Sequence, residues 1–542
     1  MNTRNRLLKS IFRFLYSLIS NKSTLIFIPL LLTSFTHLLN PIGFPSLNID
    51  EGHYLRKAIS TLEGEDLQPQ DRYFAPYFGQ IFIVGFFEIV GYPNSINPSP
   101  DLNSIEMLYL VPRLLMSILA IVDTFLIFKI SERRYGFKIA LVASILFAIM
   151  PYTWMIRRIF LESIQLPFLL ASILLPLYLK KDITRYRSSI NDDGDSNTNI
   201  NLRTENHSDS FFTKRNILLI LLSGSFLGLS IFTKIPIFAM IPLVGYLVVS
   251  NTHSIKNGKL KSLGLWFIPV ILIPLIWPIH AYSIGEFDKW FEDVLYQTQR
   301  ESKPLVNSLY GFLERDSILF VLGFAGIFYA AVKRDLFILL FSIPFLSFLY
   351  WLDFVSSFHL IPLFPVFSIA SAKLIFDLSF LIPNVRIQKI LPYGIIFAIG
   401  ILGLVSTFAI ISIDVNSVIL KTQVLLIQHL QKSNESVTVI GNPLYIWIPR
   451  YIYNLEYYEK SLFSIKSVKT ENYIIIDDSL YKKIKKKNDK IGMFHQSLYL
   501  NTHLIKSIDI NDQQTKKQYN LNLYPFLKVN PKPDRIDIRA NY

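Results

Sequence analysis

Cysteine is absent from this chain, which excludes disulfides, thiolate metal sites and cysteine nucleophiles and leaves the redox compartment open. Charge is scarce as well: Asp, Glu, Lys and Arg make up 17% of the 542 residues, against 51% hydrophobic and 14% aromatic. A soluble fold of this length cannot bury so much apolar side chain, so the excess must face lipid.

Uncharged apolar runs at 23–39, 263–283 and 391–413 approach the roughly 20 residues that cross a bilayer core. The net charge of +14 would point to nucleic acid in a soluble protein. In a membrane protein it reads as Lys and Arg held at the cytoplasmic edge, so lipid is the expected partner and nucleic acid is not. Residues 1–22, with Arg4, Arg6, Lys9 and Arg13, precede an apolar run without a small-residue cleavage site. They read as an interfacial basic segment leading into a retained first span.

Hydropathy places spans near 23–39, 107–130, 138–154, 162–179, 216–232, 235–250, 263–283, 317–332, 336–352, 358–376 and 391–413. A further run at 76–90 is short and contains Gly79, Gly85 and Glu88. If that run does not cross, the basic connections carrying Arg133, Arg134 and Lys138, then 180–215, 256–261, Lys333 with Arg334, and Arg386 with Lys389 all share the N-terminal side. That is the distribution the positive-inside rule demands. The expectation is therefore about eleven transmembrane helices over 23–413, with the N-terminus cytoplasmic. The run 76–90 becomes a juxtamembrane element inside a first outer loop at 40–106.

From residue 414 to 542 the composition is that of a small soluble domain, placed outside the cytoplasm by the same parity. Runs at 437–440 and 473–476 read as short buried strands, and 481–490 as a basic exposed segment. The Asn-, Asp- and Ser-rich stretch 191–210 reads as a flexible cytoplasmic loop without a role in chemistry.

Chemistry-bearing residues gather on the outer side. Asn48-Ile49-Asp50-Glu51-Gly52-His53-Tyr54 follows the first span and sets two carboxylates, a histidine and a tyrosine beside the bilayer, where lipid contact penalises charge. Arg157-Arg158-Ile159-Phe160-Leu161-Glu162 fills a tight outer turn, and its arginines run against the positive-inside preference. Lys234, in Phe232-Thr233-Lys234-Ile235-Pro236, and Arg113, near the outer end of its span, add cations at the level where a lipid phosphate would sit. The bland alternatives are a solvated acidic loop for Asp50 and Glu51, and interfacial anchoring or snorkelling for the cations.

Taken in order, the Asp-Glu motif after the first span, the arginine turn ending in Glu162, the Thr-Lys turn and the late string Phe358-His359-Leu360-Ile361-Pro362-Leu363-Phe364-Pro365 resemble one superfamily. The layout of 23–413 looks like a GT-C glycosyltransferase of the protein O-mannosyltransferase type, and is similar also to the aminoarabinose transferases that modify lipid A. The resemblance implies an all-α polytopic membrane protein of GT-C fold carrying a small extracytoplasmic α/β domain. It implies Asp50 as catalytic base, Glu51 beside it shaping the acceptor site, and Glu162 as a further catalytic acid, standing where most relatives carry Asp. Arg113, Arg157, Arg158 and Lys234 would contact the donor phosphate, with His53, Tyr54 and His359 lining the substrate cavity.

The activity so implied is inverting transfer of a single sugar, mannose, from a polyprenyl-phosphate donor to a protein Ser or Thr hydroxyl. The same chemistry serves a lipid or glycan acceptor. The setting is the extracytoplasmic face of a membrane, a prokaryotic plasma membrane in preference to endoplasmic reticulum. A polyprenyl phosphate is already a good leaving group, so cations on the phosphate and one carboxylate on the acceptor hydroxyl suffice. No cofactor is required, although clustered carboxylates such as Asp50 and Glu51 could hold a divalent cation. A glycine-rich phosphate loop, a His-Glu-x-x-His motif and the Trp-Trp-Asp motif of oligosaccharyltransferases are all missing, against a nucleotide-sugar donor and against en bloc oligosaccharide transfer. A lipid-carrier transporter or flippase is the competing class. It would place ionisable groups near the midplane and show repeated halves, whereas here Asp123 is the main mid-span charge and no repeat is visible.

Overall fold

The computed structural model describes residues 24–64, 67, 73, 75–94, 101–179, 212–252, 256–300, 302–352, 354–432, 437–453, 458–461, 465, 467–468, 471–486, 489–509 and 535–541. The basic segment 1–22 and the polar stretch 191–210 lie outside them. The helices run α1 (Phe27–Leu38), α2 (Ile49–Leu62), α3 (Phe78–Ile89), α4 (Leu102–Tyr135), α5 (Phe137–Ile149), α6 (Leu161–Leu174), α7 (Lys214–Thr233), α8 (Ile241–Asn251), α9 (Lys256–Ser283), α10 (Phe287–Thr298), α11 (Leu305–Arg315), α12 (Ser317–Lys333), α13 (Leu336–Trp351), α14 (Phe364–Ser379) and α15 (Val385–Ile411).

By length and composition, 6 helices among the described residues could cross a membrane, or 7 if the bent pair Phe137–Ile149 and Pro151–Arg157 counts as one span. The chain is an integral membrane protein. Every crossing expected from hydropathy coincides with an apolar helix, but several are short: α1, α12, α13 and the stretch Ile235–Asn251. The breaks have local causes. Met150 adopts φ −72°, ψ 138° ahead of Pro151, because the proline ring clashes with a helical conformation in the residue before it. α5 therefore stops, and the chain turns by 71° into the 3-10 turn Pro151–Arg157.

Burial sorts the spans. In Gly258–Ser283 and Val385–Ile411 only 22% and 28% of the apolar window is covered by protein, whereas 89% is covered in Ser357–Ser379. α9 and α15 therefore present lipid-facing surfaces and α14 forms the bundle centre, since lipid tails are as apolar as the side chains they meet. α7 crosses α9 at Gly224, where a β-carbon would stand 2.2 Å from the Trp266 carbonyl oxygen, and one turn on at Gly228, 2.6 Å from that of Pro269. Small residues four apart let helix backbones touch in lipid. Gly224→Leu is expected to destabilise the bundle by about 1–3 kcal/mol through overpacking. Thermal unfolding of the detergent-solubilised protein measures this, and an unchanged midpoint would show that the crossing tolerates bulk.

After α15 come α16 (Ser417–Lys432), β1 (Thr438–Gly441), α17 (Pro443–Tyr453), β2 (Tyr458–Ser461), β3 (Tyr473–Asp477), α18 (Ser479–Ile484), α19 (Lys490–Leu500), β4 (His503–Asp509) and β5 (Arg535–Ala540). They form a five-stranded sheet in the order β2-β1-β3-β5-β4, parallel from β2 through β3 and antiparallel at β5 and β4. The two strands expected at 437–440 and 473–476 are its fully buried β1 and β3. The segment 481–490 departs from the exposed basic reading: its start is helical, and Tyr481 and Ile484 pack inward. The lysines that follow Tyr481 and Ile484 mask that inner face in the sequence.

The sheet and its helices do not hang free of the bundle. Leu55, Ile59, Leu108 and Tyr109 share one hydrophobic cluster with Val418, Leu426, Trp447, Ile474 and Ile538. α17 lies on α2, and α16 lies on α4.

Candidate functional site

α2 begins with a capping box. The Asn48 side chain accepts the Asp50 N–H at 3.0 Å, and the Asn48 N–H is donated to Glu51 Oε2 at 2.9 Å, satisfying donors that an open helix end would leave bare. Glu51 takes further partners. Arg113 Nε reaches Oε1 at 2.9 Å and Arg113 Nη2 reaches Oε2 at 2.8 Å, while the Ile159 N–H donates to Oε1 at 3.2 Å. Arg113 Nη1 donates to the carbonyls of Pro41 and Pro45, both at 2.9 Å. Both side chains of this bidentate pair are 0% exposed.

Glu51 and Arg113 are therefore framework. The sequence placed Glu51 in the acceptor site and Arg113 on the donor phosphate. The structure instead ties the two to each other inside the wall, because a buried carboxylate and a buried guanidinium are tolerable only when paired.

About 100° around the helix from Glu51, Asp50 faces a cavity of about 540 Å³, which it lines with His53 and Tyr54 one turn on. The other walls bring Lys234, Arg300 and His359, and a larger apolar set including Phe238, Trp277, Phe348, Trp351 and Phe358. None of the described residues donates a hydrogen bond to the Asp50 carboxylate. Burial raises its pKa above the ordinary 3.8, Lys234 pulls it back, Glu162 raises it again, and Arg300 and Arg158 lower it.

Glu162 sits in the first turn of α6, almost fully buried. One of its carboxylate oxygens pairs with the Lys234 ammonium, and the other has no partner among the described residues. Lys234 caps the C-terminal end of α7, with its ammonium 4.6 Å from the Phe358 ring centre. The turn that presents it is pinned by Gln165, whose amide donates to the carbonyls of Ser230 at 2.7 Å and Lys234 at 2.6 Å. His359 Nδ1 accepts the Ser356 N–H at 2.9 Å; in the neutral imidazole this leaves the proton on Nε2 as a donor.

The arginine turn is positioned differently from expectation. Arg157 is fully buried; its Nη2 donates to the Leu39 carbonyl, and Nε and Nη1 have no partner among the described residues. Arg158 donates to Ser46 Oγ at 2.8 Å and lies 5.1 Å from the Trp154 ring centre. Neither lines the cavity, and Arg158 acts on Asp50 through its charge without contact. The turn is a 3-10 helix packed inward, and that geometry directs both guanidinia behind the wall.

Of the residues singled out in the sequence, Asp50, His53, Tyr54, Lys234 and His359 thus share one cavity, with Glu162 held against Lys234. Glu51, Arg113, Arg157 and Arg158 stand behind it. Glu51 is engaged by Arg113, whereas Asp50 faces the cavity. Among the described residues no group of three or more His, Asp or Glu converges as a metal site. Arg300 was missed. It follows α10, on which Asp288, Lys289, Glu292 and Asp293 carry charge of both signs, and nothing in the sequence sets it apart from them.

No protein-family model and no curated protein matches the chain. Solved structures do. ArnT from Cupriavidus metallidurans in the apo state superposes with a TM-score of 0.54 at 10% identity, covering 96% of this chain and 97% of that one. The apo form of the Archaeoglobus fulgidus oligosaccharyltransferase gives a TM-score of 0.51 at 12% identity, covering 88% of this chain and 68% of that one. Against the Archaeoglobus fulgidus oligosaccharyltransferase AglB in complex with an inhibitory peptide and a dolichol-phosphate, the identity is 13%, the TM-score 0.49, and the chain spans 64% of that protein's length. The likeness is one of fold: the chain has the GT-C architecture of these membrane glycosyltransferases.

Proposed function

We propose that this protein is an inverting glycosyltransferase that moves a single sugar, mannose, from a polyprenyl-phosphate donor to a hydroxyl of a protein Ser or Thr. The observation that carries the reading is the cavity itself. A carboxylate without a hydrogen-bond partner among the described residues, Asp50, faces the same space as Lys234, Arg300 and an apolar aromatic wall. That combination fits a substrate with an anionic head and a hydrocarbon tail.

In this reading the Lys234 ammonium and the Arg300 guanidinium hold the donor phosphate, and Glu162 keeps Lys234 in place. Asp50 takes the proton from the acceptor hydroxyl as its oxygen attacks the anomeric carbon. The bond from that carbon to the phosphate oxygen breaks, and the polyprenyl phosphate leaves with the electron pair. Its growing charge is met by cations already in position, so little reorganisation is needed at the moment of reaction. Attack opposite the leaving group inverts the anomeric centre. The Nε2 donor of His359, with His53 and Tyr54, would contact the sugar hydroxyls.

The outer face is the better site. α4 carries Arg113, the partner of Glu51, toward one end and Arg133 and Arg134 in its last turn. Twenty residues of helix separate them by about 30 Å, the thickness of the hydrocarbon core. Basic residues favour the cytoplasmic side, so the cavity opens on the other.

Purified protein incubated with polyprenyl-phosphate mannose and a Ser- or Thr-containing peptide should add one hexose to the peptide and release one polyprenyl phosphate for each. Reconstituted protein that moves the donor between leaflets without consuming it would overturn the reading in favour of a flippase. Arg300→Ala should weaken polyprenyl-phosphate binding about tenfold, the loss of one charge-assisted contact. Unchanged affinity would remove Arg300 from the phosphate site.

A further inference from the structure

We infer that Trp447, in the C-terminal region, is a positioning residue for Asp50: through Gly52 it sets the rotation of the helix turn that aims the carboxylate. This rests on the reading of Asp50 as the base.

Trp447 is buried on α17, and its indole lies directly on α2 at Gly52. A β-carbon at Gly52 would stand 2.6 Å from the indole Nε1 and 2.9 Å from Cδ1, inside any allowed contact. Only glycine admits the ring there, two residues after Asp50. The indole is itself anchored. Its N–H donates to the Tyr109 hydroxyl at 3.0 Å, with the two rings edge to face at 89°. Gln423 of α16 donates to the same hydroxyl at 3.0 Å and to the Leu444 carbonyl at 2.7 Å. Tyr109 is fully buried on α4, four residues before Arg113 and hence on the same face.

The first turn of α2 is thereby gripped from two sides by one element. α4 holds Glu51 through Arg113 and holds Gly52 through Tyr109 and Trp447. The C-terminal region also fixes the approach to that turn. Asn416 accepts the Leu47 N–H at 2.8 Å and donates to the Ile42 and Pro45 carbonyls at 2.6 and 2.8 Å. A region without chemistry-bearing side chains near the cavity thus controls the direction of the proposed base. Displacement of a reacting group by about 1 Å can cost on the order of a hundredfold in rate.

The test is a set of variants assayed for kcat and KM alongside polyprenyl-phosphate binding: Trp447→Ala, Gly52→Ala, the double variant, Tyr109→Phe and Asp50→Asn. Trp447→Ala and Gly52→Ala should each lower kcat about ten- to a hundredfold, with KM and donor binding close to wild type. In the double variant the two losses should not multiply, because the space vacated by the indole accepts the new methyl group. Tyr109→Phe, which removes only the hydroxyl that anchors the indole, should lower kcat in the same direction and covers the case in which Trp447→Ala fails to fold.

Wild-type kcat in folded Trp447→Ala or Tyr109→Phe protein, a change in KM alone, or fully multiplicative losses would overturn the inference. Loss of activity in Asp50→Asn alongside wild-type kcat at Trp447 would overturn the positioning and leave the base in place. Full activity in Asp50→Asn would overturn both.

Discussion

Replacing Asp50 by Asn is expected to lower the rate of sugar transfer by about a hundred- to ten-thousandfold, the range lost with a general base, while leaving polyprenyl-phosphate binding intact. The amide keeps the size and the helix position of the carboxyl but accepts no proton. The same residue predicts the pH dependence. Burial, the largest influence, holds the Asp50 carboxyl above its ordinary value of 3.8, and a base must be deprotonated to act. The rate should therefore climb as pH rises through that raised pKa and then level off. It should fall on the acid side at a higher pH than an exposed aspartate would require. Wild-type activity in Asp50→Asn, or a rate that is flat down to pH 4, would exclude Asp50 as the base.

The second large effect falls on stability. Removing either partner of the Glu51–Arg113 pair leaves the other charged, fully buried and without its counterion. Breaking such a pair costs about 3–5 kcal/mol. Glu51→Ala and Arg113→Ala should each lower the thermal unfolding midpoint sharply. Arg113→Lys should recover little, because a lysine cannot supply both the fork to Glu51 and the contacts to the Pro41 and Pro45 carbonyls. Thermal unfolding in detergent reads the effect, and a midpoint within error of wild type in either alanine variant would mean that the pair is not the framework described.

These two predictions concern adjacent residues, and they mark how far the sequence could be read. Both carboxylates were visible as a polar cluster beside the first span. Their division of labour was not, because it depends on Arg113, 62 positions away, which claims one and turns the other toward the cavity. The same limit applies to the arginine turn. The charge pattern of the loops set Arg157 and Arg158 apart in the sequence; that they point into the wall follows from the bend at Pro151, which is a matter of packing. Lys234 was legible because it sits in a short turn, which Gln165 holds; His359, held by Ser356, was marked only by the family resemblance. Arg300 was hidden by the mixed charges of the preceding helix.

At the level of the fold, hydropathy located each apolar segment but not the breaks within it, since a proline-kinked or 3-10-interrupted span has the same composition as a straight one. The strands β1 and β3 were legible for the reason that makes them central: they are buried on both faces and read as unbroken apolar runs. The grip of the C-terminal region on α2 was not, since Gly52 and Trp447 are nearly four hundred residues apart and nothing in the sequence around Trp447 points to α2.

The proposed chemistry depends on where the lipid phosphate sits. The most direct measurement is an experimental structure of the protein bound to a polyprenyl phosphate. The phosphate is expected against Lys234 and Arg300, within reach of the Asp50 side of the cavity, with the isoprenoid running along Phe348 and Trp351. A phosphate bound instead behind the wall at Arg157, or at the opposite end of the bundle near Arg133 and Arg134, would contradict it.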